Sequence, residues 1–126
     1  MGISIKLRDD RDKASEYCIK VQKRIRSIDL NRFGIKGVNA LRSNTPVDSG
    51  ITADSWNYKI DRSKDSIKIS FLNSNINEGV NVAILIQYGH ATRSGSWVEG
   101  IDYINPALSP VFEEMSKEIW EEVTRQ

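Results

Sequence analysis

Apolar positions along this chain change their spacing repeatedly, and each change marks an element. Ile3, Ile5 and Leu7 alternate with Ser4, Lys6 and Arg8, the two-residue period of a short leading strand. From about Asp9 the step becomes three and four. Ala14, Tyr17, Cys18, Val21, Ile25 and Ile28 form one stripe, which leaves Lys13, Lys20, Lys23 and Arg24 pointing outward. Asp9, Asp10 and Asp12 stand where acids favour the positive end of a helix dipole. Ile35, Val38 and Leu41 keep the three-residue step, so the spacing predicts one long helix to about Ser43. Residues 30–34 are the place for a kink or break, because Gly34 and Gly37 each cost about 1 kcal/mol relative to Ala in a helix interior. Thr45-Pro46 stops the helix, since the residue before Pro is pushed out of helical geometry.

Thr45 to Gly50, TPVDSG, reads as a turn. Trp56, Tyr58 and Ile60 then alternate with Ser55, Asn57 and Lys59, and Ile67, Ile69 and Phe71 alternate with Lys68 and Ser70. With Asp61 to Ser66 as a polar connection these runs predict a hairpin whose apolar face covers the long helix. Asn73 to Gly79 is a loop by composition. Val80 to Tyr88 admits two readings: its β-branched residues suit a buried strand, and its unbroken apolar character suits a short buried helix. Trp97 to Tyr103 suits a further short strand. Asn105-Pro106 gives a helix start, with Asn as N-cap and Pro at the first position, and Ser109-Pro110 repeats the same signal one turn later. Leu108, Val111, Phe112, Met115, Ile119 and Val123 form the inner stripe of that last helix. The fold class expected is α+β: a long N-terminal helix and a C-terminal helix packed on a small, mainly antiparallel β-sheet. The whole chain, 1–126, reads as one domain.

Composition narrows the classes. The 126 residues suffice for one core, and a net charge of +1 exerts no overall pull toward nucleic acid or membranes. The distribution is less even: residues 1–44 hold 11 Lys/Arg against 5 Asp/Glu, and residues 106–126 hold 2 against 5. The single cysteine, Cys18, has no partner for an internal disulfide, and on an apolar stripe it reads as a buried, inert thiol. No run approaches the ~20 apolar residues of a membrane span. The N-terminus, MGISIKLRDD, lacks the apolar run of a signal peptide, so the expected place of folding is a cytoplasm.

The stretch Tyr88 to Pro106, YGHATRSGSWVEGIDYINP, holds the only His. Its Gly and Ser content and its Trp97, Val98, Ile101, Tyr103 and Ile104 suggest a shaped loop or hairpin anchored by apolar side chains, the kind of segment that carries function. His90, Ser94 and Asp102 can be written as a hydrolase triad, and Glu99 with Asp102 as an acid/base pair. No nucleophile-elbow motif surrounds Ser94, and all these residues share one loop. No metal-ligand spacing and no phosphate-binding Gly motif occurs. No enzyme activity and no cofactor are expected. The basic run Lys20, Lys23, Arg24 and Arg26, or Arg93 beside Trp97, could contact nucleic acid through phosphates and a stacking ring.

The order of pieces resembles a known family. Thr45-Pro46-Val47-Asp48-Ser49-Gly50 looks like a Pro-Val-Asp-Thr/Ser-Gly turn. Ile86-Gln87-Tyr88-Gly89-His90 looks like a hydrophobic–Glu–aromatic–Gly element. Gly95-Ser96-Trp97-Val98-Glu99-Gly100-Ile101-Asp102-Tyr103 and Pro106-Ala107 follow. Together, over roughly residues 10–126, they resemble the small neck or head–tail joining proteins of long-tailed bacteriophages, also described as tail-completion or minor structural proteins. Gln87 departs from the pattern, since many relatives carry Glu there, and Ile51-Thr52-Ala53 stands where a basic residue is common. The resemblance implies a non-enzymatic virion protein at the neck, made in the host cytoplasm. It implies self-association in a ring near the DNA exit channel, with other connector and tail proteins as partners. The interface residues expected on this reading are Arg93, Ser94, Gly95, Ser96 and Trp97 of the loop, with Lys20, Lys23 and Arg24 of the basic helix. The alternative expectation is a small nucleic-acid-binding domain using that helix.

Overall fold

The computed structural model describes residues 2–6, 15–46, 50–63 and 66–125. The side chains of Cys18 and of the other stripe positions before residue 20, with Val21, lie outside the described residues, as do Val47, Asp48 and Ser49 of the turn. The α+β class holds: five helices accompany a three-stranded antiparallel sheet and two small hairpins among the described residues.

The single long helix does not hold. The chain forms α1 (Ser15–Ser27) and α2 (Asn31–Asn44). The break falls at Ile28 to Leu30, ahead of the glycines. Polar side chains there offer the backbone other partners. The Ser27 hydroxyl donates to the Arg24 carbonyl at 2.6 Å, and Asp29 accepts from the Asn31 amide at 3.0 Å. Ile28 and Leu30 are both buried, and two residues apart on one straight helix they would face different sides. Breaking the helix brings both into the core.

Gly34 and Gly37 sit inside α2 for a packing reason. The sheet's hairpin is β2 (Trp56–Arg62) paired with β3 (Ser66–Asn73), with Tyr58 opposite Phe71 and Ile60 opposite Ile69. A Cβ on Gly34 would overlap the Tyr58 ring, and a Cβ on Gly37 would overlap the Phe71 ring. Bare helix backbone therefore lets the sheet approach α2 closely. Phe71 is buried and also meets Phe112, ring centroids 6.3 Å apart, so its ring has little room to move. Gly37→Ala is expected to destabilise the protein by about 1–3 kcal/mol, although alanine is the better helix former. Urea denaturation measures this, and a gain in stability would contradict the packing.

The leading strand β1 (Gly2–Lys6) pairs antiparallel with β3 on its other edge, Ile3 opposite Ile69 and Ile5 opposite Ile67. The helix α5 (Ile104–Thr124) packs against α2 and α1 and buries Leu108, Val111 and Met115. It begins two residues before the expected start: Tyr103 is the N-cap, and Asn105 donates to Asp102 at 3.0 Å instead of capping. Arg32 pairs with Glu118 and Lys36 with Glu114 across α2 and α5. The opposite charges of the chain's two ends are thus partly matched within one copy. The Lys36 ammonium holds the Glu114 carboxyl below its usual range through a hydrogen bond. These pairs are solvent-exposed, so each contributes little to stability.

After Gly50 the chain makes a one-turn helix, α3 (Ile51–Asp54), and the strand β2 starts directly behind it at Trp56. Thr45 is buried. Its hydroxyl accepts from the Trp56 indole at 2.9 Å and donates to the Leu41 carbonyl, closing the end of α2 over the hairpin.

Candidate functional site

Past β3 the chain builds a platform at the N-terminal end of α5. The composition-based loop contains a hairpin, β4 (Ile76–Asn77) with β5 (Val80–Asn81). Glu78 and Gly79 turn it at φ 51° and 78°, the two positive dihedrals of a tight hairpin turn. Asn73, Asn75 and Asn81 fix its base. The Asn73 amide donates to the Thr52 carbonyl at 2.8 Å, Asn75 to the Thr52 hydroxyl at 2.9 Å, and Asn81 to the Asn73 carbonyl at 3.1 Å. Asn81 also accepts from the Ala83 amide at 3.1 Å and so caps the helix α4 (Val82–Tyr88). The ambiguous apolar run is therefore mostly helix.

α4 is inverted relative to an ordinary surface helix. It buries Ala83 and Gln87, four residues apart on one side, and exposes Ile84 and Tyr88 on another. Gln87 explains the inversion. Its side-chain oxygen accepts from the Tyr103 and Ile104 amides at 3.1 and 2.9 Å, and its nitrogen donates to Asp102 at 2.8 Å. Those amides open α5 and have no partner within their own helix. Gln87 satisfies them from outside.

Tyr103 holds the other end of α4. Its hydroxyl donates to the Ala83 carbonyl at 2.8 Å, and its ring meets the Trp56 ring edge-on at 6.5 Å. Burial pushes the phenol up from 10.0 to about 12. A raised folded-state value means the contribution is fully present below pH 10 and lost as pH rises through 12. The expected result is a fall in stability between pH 10 and 12 that is smaller in Tyr103→Phe. Denaturation of both proteins across that range checks it.

Beyond α4 comes the predicted loop, folded as a hairpin of β6 (Gly89–Ala91) and β7 (Trp97–Glu99). Gly89 and Gly100 meet backbone to backbone at its base, and the Ile101 amide donates to the Ile86 carbonyl at 2.8 Å. The tip is tied by Thr92, whose amide donates to the Ser96 carbonyl at 2.8 Å and whose hydroxyl lies 3.0 Å from that of Ser94. Arg93, Ser94, Gly95, Ser96 and Trp97 are all exposed on this hairpin. Arg93 reaches Glu78 of the first hairpin at 3.5 Å, so the two hairpins approach one another.

The residues expected at the interface thus fall into two places. The five loop residues stand together on the second hairpin. Lys20 and Lys23 are exposed on α1, which packs against α5. Arg24 is only partly exposed and directs its guanidinium to the Val123 carbonyl at 3.5 Å, so it does not point fully outward as expected. His90, Ser94 and Asp102 do not form a triad. Ser94 bonds Thr92, Asp102 accepts from Gln87 and Asn105, and His90 Nδ1 is buried without a partner. Among the described residues no group of three His, Cys, Asp or Glu side chains is placed to hold a metal ion, and no helix is long and apolar enough to cross a membrane.

Sequence reasoning missed the exposed apolar side chains of the platform. Leu72, Ile76, Val80, Ile84 and Tyr88 are all exposed, at 42–67%. The first, second and fourth of these line a cleft of about 320 Å³ whose floor includes Trp56, Ile104 and Leu108. The available signal was Gln87 within an otherwise apolar run: a helix that buries its one polar side chain turns apolar ones to solvent. No protein-family model, curated protein or solved structure matches this chain.

Proposed function

We propose that this chain is a non-enzymatic virion structural protein acting at the head–tail connection of a long-tailed bacteriophage, working as copies in a ring. The observation that carries the reading is the platform around α4. Large apolar side chains stand exposed there on a short helix and two hairpins, clamped to the core by Gln87, Tyr103 and the Gly89–Gly100 contact. Exposed apolar surface of this extent marks an interaction site. The clamps keep it in shape before any partner arrives, which lowers the ordering cost of docking. The order of the TPVDSG, QYGH and GSWVEGIDY pieces supplies the choice of partner class by resemblance to neck proteins. Immunolabelling of purified virions tests it. Label confined to the head–tail junction supports the reading, and virions without the protein overturn it.

The second reading is nucleic-acid binding through α1, favoured by the exposure of Lys20, Lys23 and Arg26. It requires duplex DNA affinity that falls steeply with salt and drops in Lys20→Glu/Lys23→Glu. Affinity unchanged by that substitution counts against it.

A further inference from the structure

The platform concentrates the exposed apolar side chains. Among the described residues, eight of the eleven exposed large apolar side chains lie between Leu72 and Ile101, each 42–67% exposed. Two of them, Tyr88 and Trp97, are aromatic, with roughly 150–250 Å² of surface each, and the eight together exceed what scattered surface apolar residues present.

A second apolar feature lies elsewhere. Trp120, on the last turns of α5, is 67% exposed. The cleft is lined at its floor by Ile104 and Leu108, at the first turns of the same helix. Twelve to sixteen residues of helix separate them, about 18–24 Å, so Trp120 cannot reach the cleft of its own copy.

The two features fit each other. The cleft of about 320 Å³ has space for about ten water-sized groups, as many as the non-hydrogen atoms of a tryptophan side chain. Asn73 and Asn81 also line it; their side-chain oxygens accept from the Asn75 and Ala83 amides, and an indole N–H, which needs a partner when buried, would take the second lone pair of either. Charge agrees in direction. Residues 72–102 carry Glu78, Glu99 and Asp102 against Arg93. The Trp120 end carries exposed Lys20 and Lys23 on α1, held beside α5 by the Arg24–Val123 contact, and exposed Lys117 on α5, against exposed Glu121; Glu118 and Glu122 there are paired with Arg32 and Arg125.

We propose that copies of this chain join head to tail, Trp120 of one copy seated in the cleft of Leu72, Ile76 and Ile84 of the next. Such a heterologous contact repeats and closes into a ring or extends as a filament. The inference deepens the self-association in the proposed function but does not depend on the virion setting.

The test is sedimentation velocity of the purified full chain over rising concentration, with Trp120→Ala and Ile84→Asp. Wild type is expected to form oligomers beyond a dimer, and each variant to weaken association by more than about tenfold. Mixing the two is decisive. Trp120→Ala keeps an intact cleft and Ile84→Asp an intact tryptophan, so a one-to-one mixture forms a dimer and stops. Ile76→Asp, on the β4–β5 hairpin, replaces Ile84→Asp if the latter fails to fold. A monomeric wild type, variants that assemble like wild type, or a mixture that stays monomeric would each overturn the proposal. A monomeric wild type with label at the virion neck would remove this contact and leave the proposed function standing.

Discussion

Gln87→Ala is expected to lower stability by about 3–5 kcal/mol, far more than truncation of most polar side chains. The residue is 7% exposed and its side chain makes three hydrogen bonds. Alanine leaves the Tyr103 and Ile104 amides without an acceptor at a buried helix start, and each unsatisfied group costs about 1–3 kcal/mol. It also removes the Asp102 contact. Gln87→Glu separates the two functions of the amide. A carboxylate can still accept from both backbone amides, but its second oxygen meets the Asp102 carboxylate where the amide nitrogen donated at 2.8 Å. Gln87→Glu is therefore expected to be destabilising alone and substantially restored by Asp102→Asn. A double-mutant cycle from urea denaturation gives the coupling, expected at about 1–3 kcal/mol. Additive effects would show that the two side chains act independently. The same geometry gives a physical reason for an amide at this position.

Gly89→Ala is expected to be about as damaging, about 2–5 kcal/mol, and to release the second hairpin from the core. Two causes act together. Gly89 has φ 80° and ψ 173°, a region essentially reserved for glycine, with a strain cost of about 1–3 kcal/mol for other residues. A Cβ there would also stand 2.5 Å from the Val98 carbonyl oxygen and 2.7 Å from the Gly100 nitrogen. Both are backbone atoms, so relief requires the hairpin to move away, which adds a cost like that of overpacking. Gly95 is the control. It has φ 86° but nothing within 4 Å of an added Cβ, so Gly95→Ala carries strain alone. Amide hydrogen exchange locates the effect. In Gly89→Ala the Ile101 amide, bonded to Ile86, should exchange much faster while amides of β3 stay protected. Unchanged protection at Ile101 would contradict the close backbone contact.

Where burial followed a simple period, the sequence was a sufficient guide. The alternation of Ile67, Ile69 and Phe71, and the stripe of Leu108, Val111 and Met115, survive in the structure as core positions. The break between α1 and α2 falls at residues 28–30, at the edge of the 30–34 window, because the glycines are not its cause. Ser27 and Asp29 ended the helix, and the glycines were required by Tyr58 and Phe71, which lie more than 20 residues further along the chain. The same distance hid the platform. Whether Ile84 faces core or solvent depends on Gln87, and Gln87 is held by residues 15–17 positions away. Local periodicity carries no information about such a partner. The exposed loop residues Arg93 to Trp97 were legible because their Gly and Ser content already excluded burial.

The proposed joining role in the virion is tested most directly by electron microscopy of lysates from a phage lacking this gene. That role predicts DNA-filled heads and finished tails lying apart, with joined particles restored when the wild-type protein is supplied. Normal joined particles in the absence of the protein would contradict it.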